Sequence, residues 1–408
     1  EKALKEVNLQ NHEFNQKMQE MGDKLKKAGE SMVATGKTLS THLTVPLTAL
    51  GTLAAKSAID FESAFAGVRK TVDATEAEFA ALERGIRDMA KEIPAAATEI
   101  AGVAEAAGQL GIQNEHILSF TRTMIDLGES TNMSAEQAAT ALARLANITQ
   151  MPQTEFDKLG STIVALGNNL ATTEAEIVEM GLRLAGAGKQ VGMTEAEILS
   201  LAGALSSVGI EAQAGGSAFS KVMVQMQLAA ETGGAALDNF ARVAGMSAEQ
   251  FATAFQENAA QALIAFINGL QRAQEEGTSA IKVLDDMGIT EVRMRDALLR
   301  AAGAGDLFAE SIKLGTEAWE ENVALATEAE QRYKTTESQL AIMRNKLQEV
   351  AITFGQILLP PLLAVVEKIG DLADWLANLS PTTQRTIVVI GGLVAALGPA
   401  LLLIGKMA

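Results

Sequence analysis

Cysteine is absent from the 408-residue sequence, which excludes disulfides and thiolate metal sites and removes the usual sequence marker of redox compartment. Aromatic residues are scarce at 4%, with a single Tyr and two Trp. The hydrophobic content of 48% is therefore mostly aliphatic, dominated by Ala and Leu, and both are strong helix formers. Positive charge is also in short supply, with 33 Lys and Arg against 50 Asp and Glu and a net charge of −17. A grip on a phosphate backbone needs clustered Lys and Arg, so tight nucleic-acid binding is not expected; an acidic surface lets nucleic acid slip past. Proline is rare too, and none occurs between Pro152 and Pro360.

What the sequence does contain is helix starts. In "NMSAEQAATALARL", "GMTEAEILSLAGAL" and "GMSAEQFATAF" a Ser or Thr precedes Glu or Gln by three residues: Ser134 with Gln137, Thr194 with Glu197, Ser247 with Gln250. Thr75 with Glu78 and Thr173 with Glu176 repeat the pattern. This is the capping box, in which the hydroxyl accepts from a first-turn N–H and the longer side chain reaches back to the cap's own N–H. Glu136, Glu174, Glu195 and Glu249 fall in the same first turns, where the helix dipole favours a carboxylate. These acids are read as caps rather than catalytic groups. The five boxes lie 59, 39, 21 and 53 residues apart, so the pattern is an irregular array and not a fixed-period solenoid.

Four regions follow from periodicity and punctuation. Residues 1–45 read as an N-terminal coiled coil, with Leu4, Val7, Asn11, Phe14, Met18, Met21, Leu25, Ala28 and Met32 alternately three and four residues apart. Asn11 takes an a position, where a polar side chain fixes register; an amphipathic helix packed on its own chain fits the same spacing. Residues 46–315 read as an irregular multi-helix block. Its stripes include Phe61, Phe65, Val68 and Val72, then Phe79, Leu82, Ile86, Met89 and Ile93. Its punctuation is expected at Gly167, Gly192, the stretch Ala212–Phe219 and Gly233–Gly234. Residues 316–358 read as an extended coiled-coil helix, with Leu340, Met343, Leu347, Val350, Phe354 and Ile357 on the seam. Residues 359–408 form a hydrophobic helical segment, and with Val350–Val366, interrupted at Pro360–Pro361, it makes an apolar hairpin. No run shows the strict alternation of a half-buried strand, so the fold class is all-α, elongated, with coiled-coil segments flanking the block. Opening at Glu1 rather than Met, the sequence is expected to be part of a longer product.

Catalytic motifs are missing. His12, His42 and His116 are far apart and none sits in a His-Glu-x-x-His pattern. "AGAGKQV" at Ala185–Val191 lacks the first glycine of a phosphate loop, since Arg183 stands there, and reads as a Gly-broken helix end. There is no Gly-x-Ser-x-Gly elbow. No catalytic, cofactor-binding or metal-ligating residue is assigned, and the chain is not read as an enzyme. Two other classes share these features: a helical membrane-active or pore-forming protein and, third, a cell-wall hydrolase using two carboxylates.

The block "STNMSAEQAATALARLANI" at Ser130–Ile148, followed by "FDKLGSTIVALGNNLATTEAEIVEMGLRLAGAGKQVGMTEAEILSLAGALSSVGIEAQAGGSAFSKVM" at Phe156–Met223, resembles the core of tail tape measure proteins of long-tailed bacteriophages and prophages. "GKTLSTHLTVPLTALGTLAAKSAIDFESAFAGV" at Gly36–Val68 is similar to the approach to that core, and "LSPTTQRTIVVIGGLVAALGPALLLIGKMA" at Leu379–Ala408 resembles the hydrophobic stretch after it. The resemblance implies a structural virion protein that sets tail length, occupies the tube lumen and tip, and assists DNA ejection across the host membrane. It implies production in the host cytoplasm and self-association as a parallel homo-oligomer, a trimer in the family pattern. The implied partners are tail tube, tail tip or baseplate proteins, tail assembly chaperones and the host membrane. It brings no catalytic residue and no cofactor.

The final stretch is the membrane candidate. Ile387–Ile404 is 18 residues without a charge, bounded by Arg385 and Lys406. As a helix it spans about 27 Å, close to the roughly 30 Å hydrocarbon core. Ile387, Ile390, Leu393, Leu397, Leu401 and Ile404 supply its apolar surface. Leu397→Arg is expected to cost about 2.5–3.5 kcal/mol of insertion and to lower DNA delivery by tails that assemble normally. Delivery at the unmodified rate would contradict a membrane role.

Overall fold

Helical spacing in the sequence becomes helix throughout the computed structural model, which describes residues 45–380 together with Thr383 and Arg385. The elements are α1 (Val45–Thr71), α2 (Glu76–Ala90), α3 (Ala97–Gln109), α4 (Ile117–Ser130), α5 (Ala135–Thr149), α6 (Phe156–Asn169), α7 (Glu174–Gln190), α8 (Glu195–Ser207) and α9 (Ala212–Thr232). They continue with α10 (Gly234–Ala244), α11 (Ala248–Glu257), α12 (Ala259–Glu275), α13 (Ala280–Asp286), α14 (Val292–Ala302), α15 (Leu307–Glu321), α16 (Ala324–Tyr333) and α17 (Thr336–Ala377). No strand occurs among the described residues; the fold is all-α.

The helix ends explain the brevity of most elements. At Thr75, Ser134, Thr173, Thr194 and Ser247 the side chain accepts from the N–H three residues on, and Glu78, Gln137, Glu176, Glu197 and Gln250 accept in return from the cap N–H. At the other end a left-handed glycine recurs. After α7, Gly192 has φ +83° and donates to Lys189 O at 3.1 Å, while Met193 N–H reaches Gly188 O at 2.9 Å. This pair of bonds is the Schellman motif, which satisfies carbonyls that no further helical turn reaches. The residue after the glycine is apolar and turns inward, and the same arrangement closes α3 at Gly111–Ile112, α8 at Gly209–Ile210 and α13 at Gly288–Ile289.

Two compact units result, Asp60–Glu349 and a second formed, among the described residues, by those up to Ile59 and those from Val350 on. In the larger one α7 packs on α8 and α9, α15 on α6 and α8, and α16 on α4 and α6. Its sparse aromatics are concentrated inside. Phe120 meets Phe156 edge-on at 4.7 Å between centroids, and Phe240, Phe251, Phe255 and Phe266 form a second group. In the smaller unit α1 and α17 approach closely. Ala54 and Ala58 are buried, and a β-carbon on Gly355 would collide with the Ala54 carbonyl. Ile352 is buried, whereas Leu53, Phe354 and Ile357 are exposed.

Several boundaries differ from the sequence reading. Gly167, Gly186, Gly188, Gly215 and Gly216 lie inside α6, α7 and α9. Gly216 serves close packing, since a β-carbon there would run into the Arg183 side chain. The break expected at Pro360–Pro361 is absent: α17 runs through both prolines, whose fixed φ matches the helix although two N–H donors are lost. Residues 316–335 lie in α15, a turn and α16, and the long uninterrupted helix starts at Thr336. Residues 1–44, with the seam Leu4–Met32, and the arm Ile387–Ile404 of the expected hairpin lie outside the described residues.

The two uses of glycine are separable by experiment. Gly192→Ala forces a β-carbon into the left-handed region and is expected to destabilise the chain by about 1–2 kcal/mol. Gly186 is helical and exposed, and a β-carbon there would project into open space, so Gly186→Ala is expected to stabilise by up to about 1 kcal/mol. Urea unfolding of both variants checks the opposite signs; equal signs would contradict the assignment.

Candidate functional site

Eleven of the twelve described phenylalanines are buried, and the exception is Phe354 on α17. That exception leads to an unusual surface among the described residues. Among the residues of the larger unit, Leu340, Met343 and Leu347 of α17 are 53%, 54% and 65% exposed, while Ser338, Ile342 and Asn345 are buried. In the smaller unit Val350, Phe354 and Ile357 are exposed and Ile352 is buried. With Leu340 and Met343 as a and d, the exposed side chains follow the heptad seam, and Ser338, Ile342, Asn345 and Glu349 take the opposing c and f positions. The helix therefore shows its apolar side outward and turns a partly polar side inward.

The inward side is held by hydrogen bonds. Asn345 Nδ2 donates to the carbonyls of Ile93 at 3.2 Å and Ala95 at 2.8 Å, the two residues flanking Pro94 at the corner between α2 and α3. Arg87 donates from Nη2 to Glu349 Oε1 at 2.7 Å and from Nε to Glu349 Oε2 at 3.0 Å. This fork on a part-buried carboxylate is the strong form of an ion pair, and the Glu349 bond holds the guanidinium above its ordinary pKa. Arg87 also lies 5.9 Å from the Phe61 ring centroid.

Upstream, Tyr333 OH donates to Asp126, which also accepts from Arg122 Nε at 2.9 Å. Burial pushes the Asp126 carboxyl above the usual carboxylate range, against the pull of Tyr333 and Arg122. The Tyr333 hydroxyl is raised as well, first by burial and then by Asp126. Between α15 and α16, Asn322 adopts φ +49°, donates to Asp157 at 2.6 Å and accepts from Ser161 at 3.0 Å. From Asn322 to Glu349, the chain is thus docked by polar side chains onto α2–α6.

Elsewhere the geometry offers little chemistry. Among the described residues no group of three or more His, Asp or Glu side chains is placed to hold a metal ion. An open cleft of about 550 Å³ is lined by Glu197, Asn258, Gln261, Ile264, Lys313 and Glu317. Glu197 is engaged there, accepting from Asn258 and from the Thr194 cap. In the other boxes the Thr75 and Thr173 N–H groups hold Glu78 and Glu176 below the usual range, the reverse of what a general acid at neutral pH requires. Lys189, from the loop-like "AGAGKQV", sits in the last turn of α7 beside Glu195.

Leu340, Met343, Leu347, Val350 and Phe354, expected from spacing as an oligomer seam, are exposed on α17, and the spacing gave no sign of the hooks behind them. Asn345 carries no sequence signal, because a polar residue at an f position reads as solvent-facing. One described helix, over Thr336–Lys368, is long and apolar enough to cross a membrane by length and composition. The remaining seam residues, Leu4, Val7, Asn11, Phe14, Met18, Met21, Leu25 and Met32, and the membrane candidates Ile387, Ile390, Leu393, Leu397, Leu401 and Ile404 are outside the described residues.

Comparison with known proteins places the chain in a family. The chain is 30% identical over 134 residues to the tape measure protein of Pneumococcus phage Dp-1, a stretch that is 33% of this chain and 10% of that relative. No solved structure matches the chain. Residues 83–287, half of the sequence and the heart of the helical block, match the family of phage-related minor tail proteins, and the chain belongs to that family, with a structural role in a phage tail.

Proposed function

We propose that the chain is a section of a tail ruler: several parallel copies occupy the lumen of the tail tube, set its length during assembly and leave ahead of the DNA. The name of the Dp-1 relative supports the ruler reading. The observation that carries the multiple copies is the exposed seam of α17. Large aliphatic side chains at a and d, left open in one chain, are covered when helices of the same spacing interlock. Charge agrees with a parallel arrangement, in which Gln339 at g meets Arg344 at e of the next copy and Lys346 at g meets Ala351, so no like charges are opposed.

In this reading tail tube, tip and chaperone proteins are the assembly partners. The apolar arms Val350–Val366 and Ile387–Ile404 enter the host membrane during ejection. Burial within the tail and insertion afterwards are successive states of one surface. The acidic composition suits a body that DNA must pass without sticking.

A helical ruler converts residues to length at a fixed rise of about 1.5 Å each. In-frame deletion of whole heptads from the extended part of the full-length protein is expected to shorten tails by about 10 Å per heptad. Deletions inside the block Asp60–Met287 are expected to abolish assembly. Electron microscopy of purified tails reads both, and tails of unchanged length after large deletions in the extended part would contradict the ruler.

A further inference from the structure

We infer that the first turns of α17 carry two independent docking faces, so that in an assembled bundle each copy's helical block hangs on the outside of the helix that joins the bundle. The inference rests on the self-association proposed above and adds where the rest of the chain must lie. Its basis is the geometry of one helix within the larger unit. Asn345 and Glu349, at f and c, are bound to the α2–α3 corner of the same chain through Ile93, Ala95 and Arg87. Leu340, Met343 and Leu347, at a and d, point away from it and stand more than half exposed.

In a coiled coil the f position lies farthest from the partner helix, and c lies beside it. A second copy seated on Leu340, Met343 and Leu347 therefore meets no part of the α2–α3 corner, and neither contact displaces the other. The inner contact is also specific. Pro94 has no N–H, and the Ile93 and Ala95 carbonyls on either side of it find their donor in Asn345, so removing that side chain strands two acceptors in a buried position. The Arg87 fork fixes the helix one turn further on. The polar face holds the chain's own block, and the apolar face is left for another copy.

The full 408-residue chain tests this with two variants and two readouts. Asn345→Ala combined with Glu349→Gln removes the inner hooks; Leu340→Ser combined with Leu347→Ser removes the outer seam. Association is followed by sedimentation over concentration, and docking by hydrogen exchange of residues 336–349 at a dilution where the chain is a monomer. The inner variant is expected to speed exchange in 336–349 about tenfold or more, with α6–α12 still protected and the association constant unchanged. The outer variant is expected to weaken association about tenfold or more and leave that exchange unchanged. A change of association in the inner variant, or of docking in the outer one, would overturn the independence of the faces while leaving self-association standing. A chain that stays monomeric at every concentration would overturn self-association and the bundle geometry with it, and the inner variant's exchange would still report the hooks.

Discussion

Every helix leaves up to four N–H groups at its start and four carbonyls at its end without helical partners, and a chain cut into many short helices meets that cost at each break. In Asp60–Glu349 the cost is met locally at several of these breaks. Thr or Ser with Glu or Gln closes the starts of α2, α5, α7, α8 and α11, and a left-handed glycine followed by Ile or Met closes the ends of α3, α7, α8 and α13. Where the ends are closed in this way, consecutive helices need only a few residues between them. Because the body is rich in Ala, helices approach closely, and a small number of phenylalanines suffices to fill the spaces left. The density of carboxylates follows from the same constraint, since many of them are caps.

Against that body α17 stands out for its inverted sidedness. A helix on a soluble surface ordinarily buries its apolar stripe and shows its polar one. Here Asn345 and Glu349 are turned in and Leu340, Met343 and Leu347 are turned out. The inner contacts are satisfied bonds, so the docked helix is stable as it is; the outer side chains gain free energy only when something covers them. In the ruler proposed above, a second copy supplies that cover by bringing the same helix alongside.

The sequence was most legible where structure is local. Each capping box spans four residues, and all five stand at helix starts in the structure. Stripes such as Phe61, Phe65 and Val68 are buried, because helical periodicity gathers apolar side chains on one face that the block then covers. Glycine was harder to read, since Gly192 ends a helix and Gly216 lets two pack, and composition does not distinguish the uses. Pro360 and Pro361 were expected to break α17, yet proline's φ is helical and the helix runs on. Least legible was the Asn345 contact, which joins residues 252 and 250 positions apart; no spacing rule reaches that far, and only the folded corner at Pro94 creates the need it fills.

The account depends most on the chain acting as one of several identical helices side by side. Quantitative mass spectrometry of purified intact tails, with the tube protein as internal standard, measures that directly. A whole number of copies greater than one per tail, three in the family pattern, is the predicted result. One copy per tail would contradict it, because the seam of α17 would then have no equal to meet.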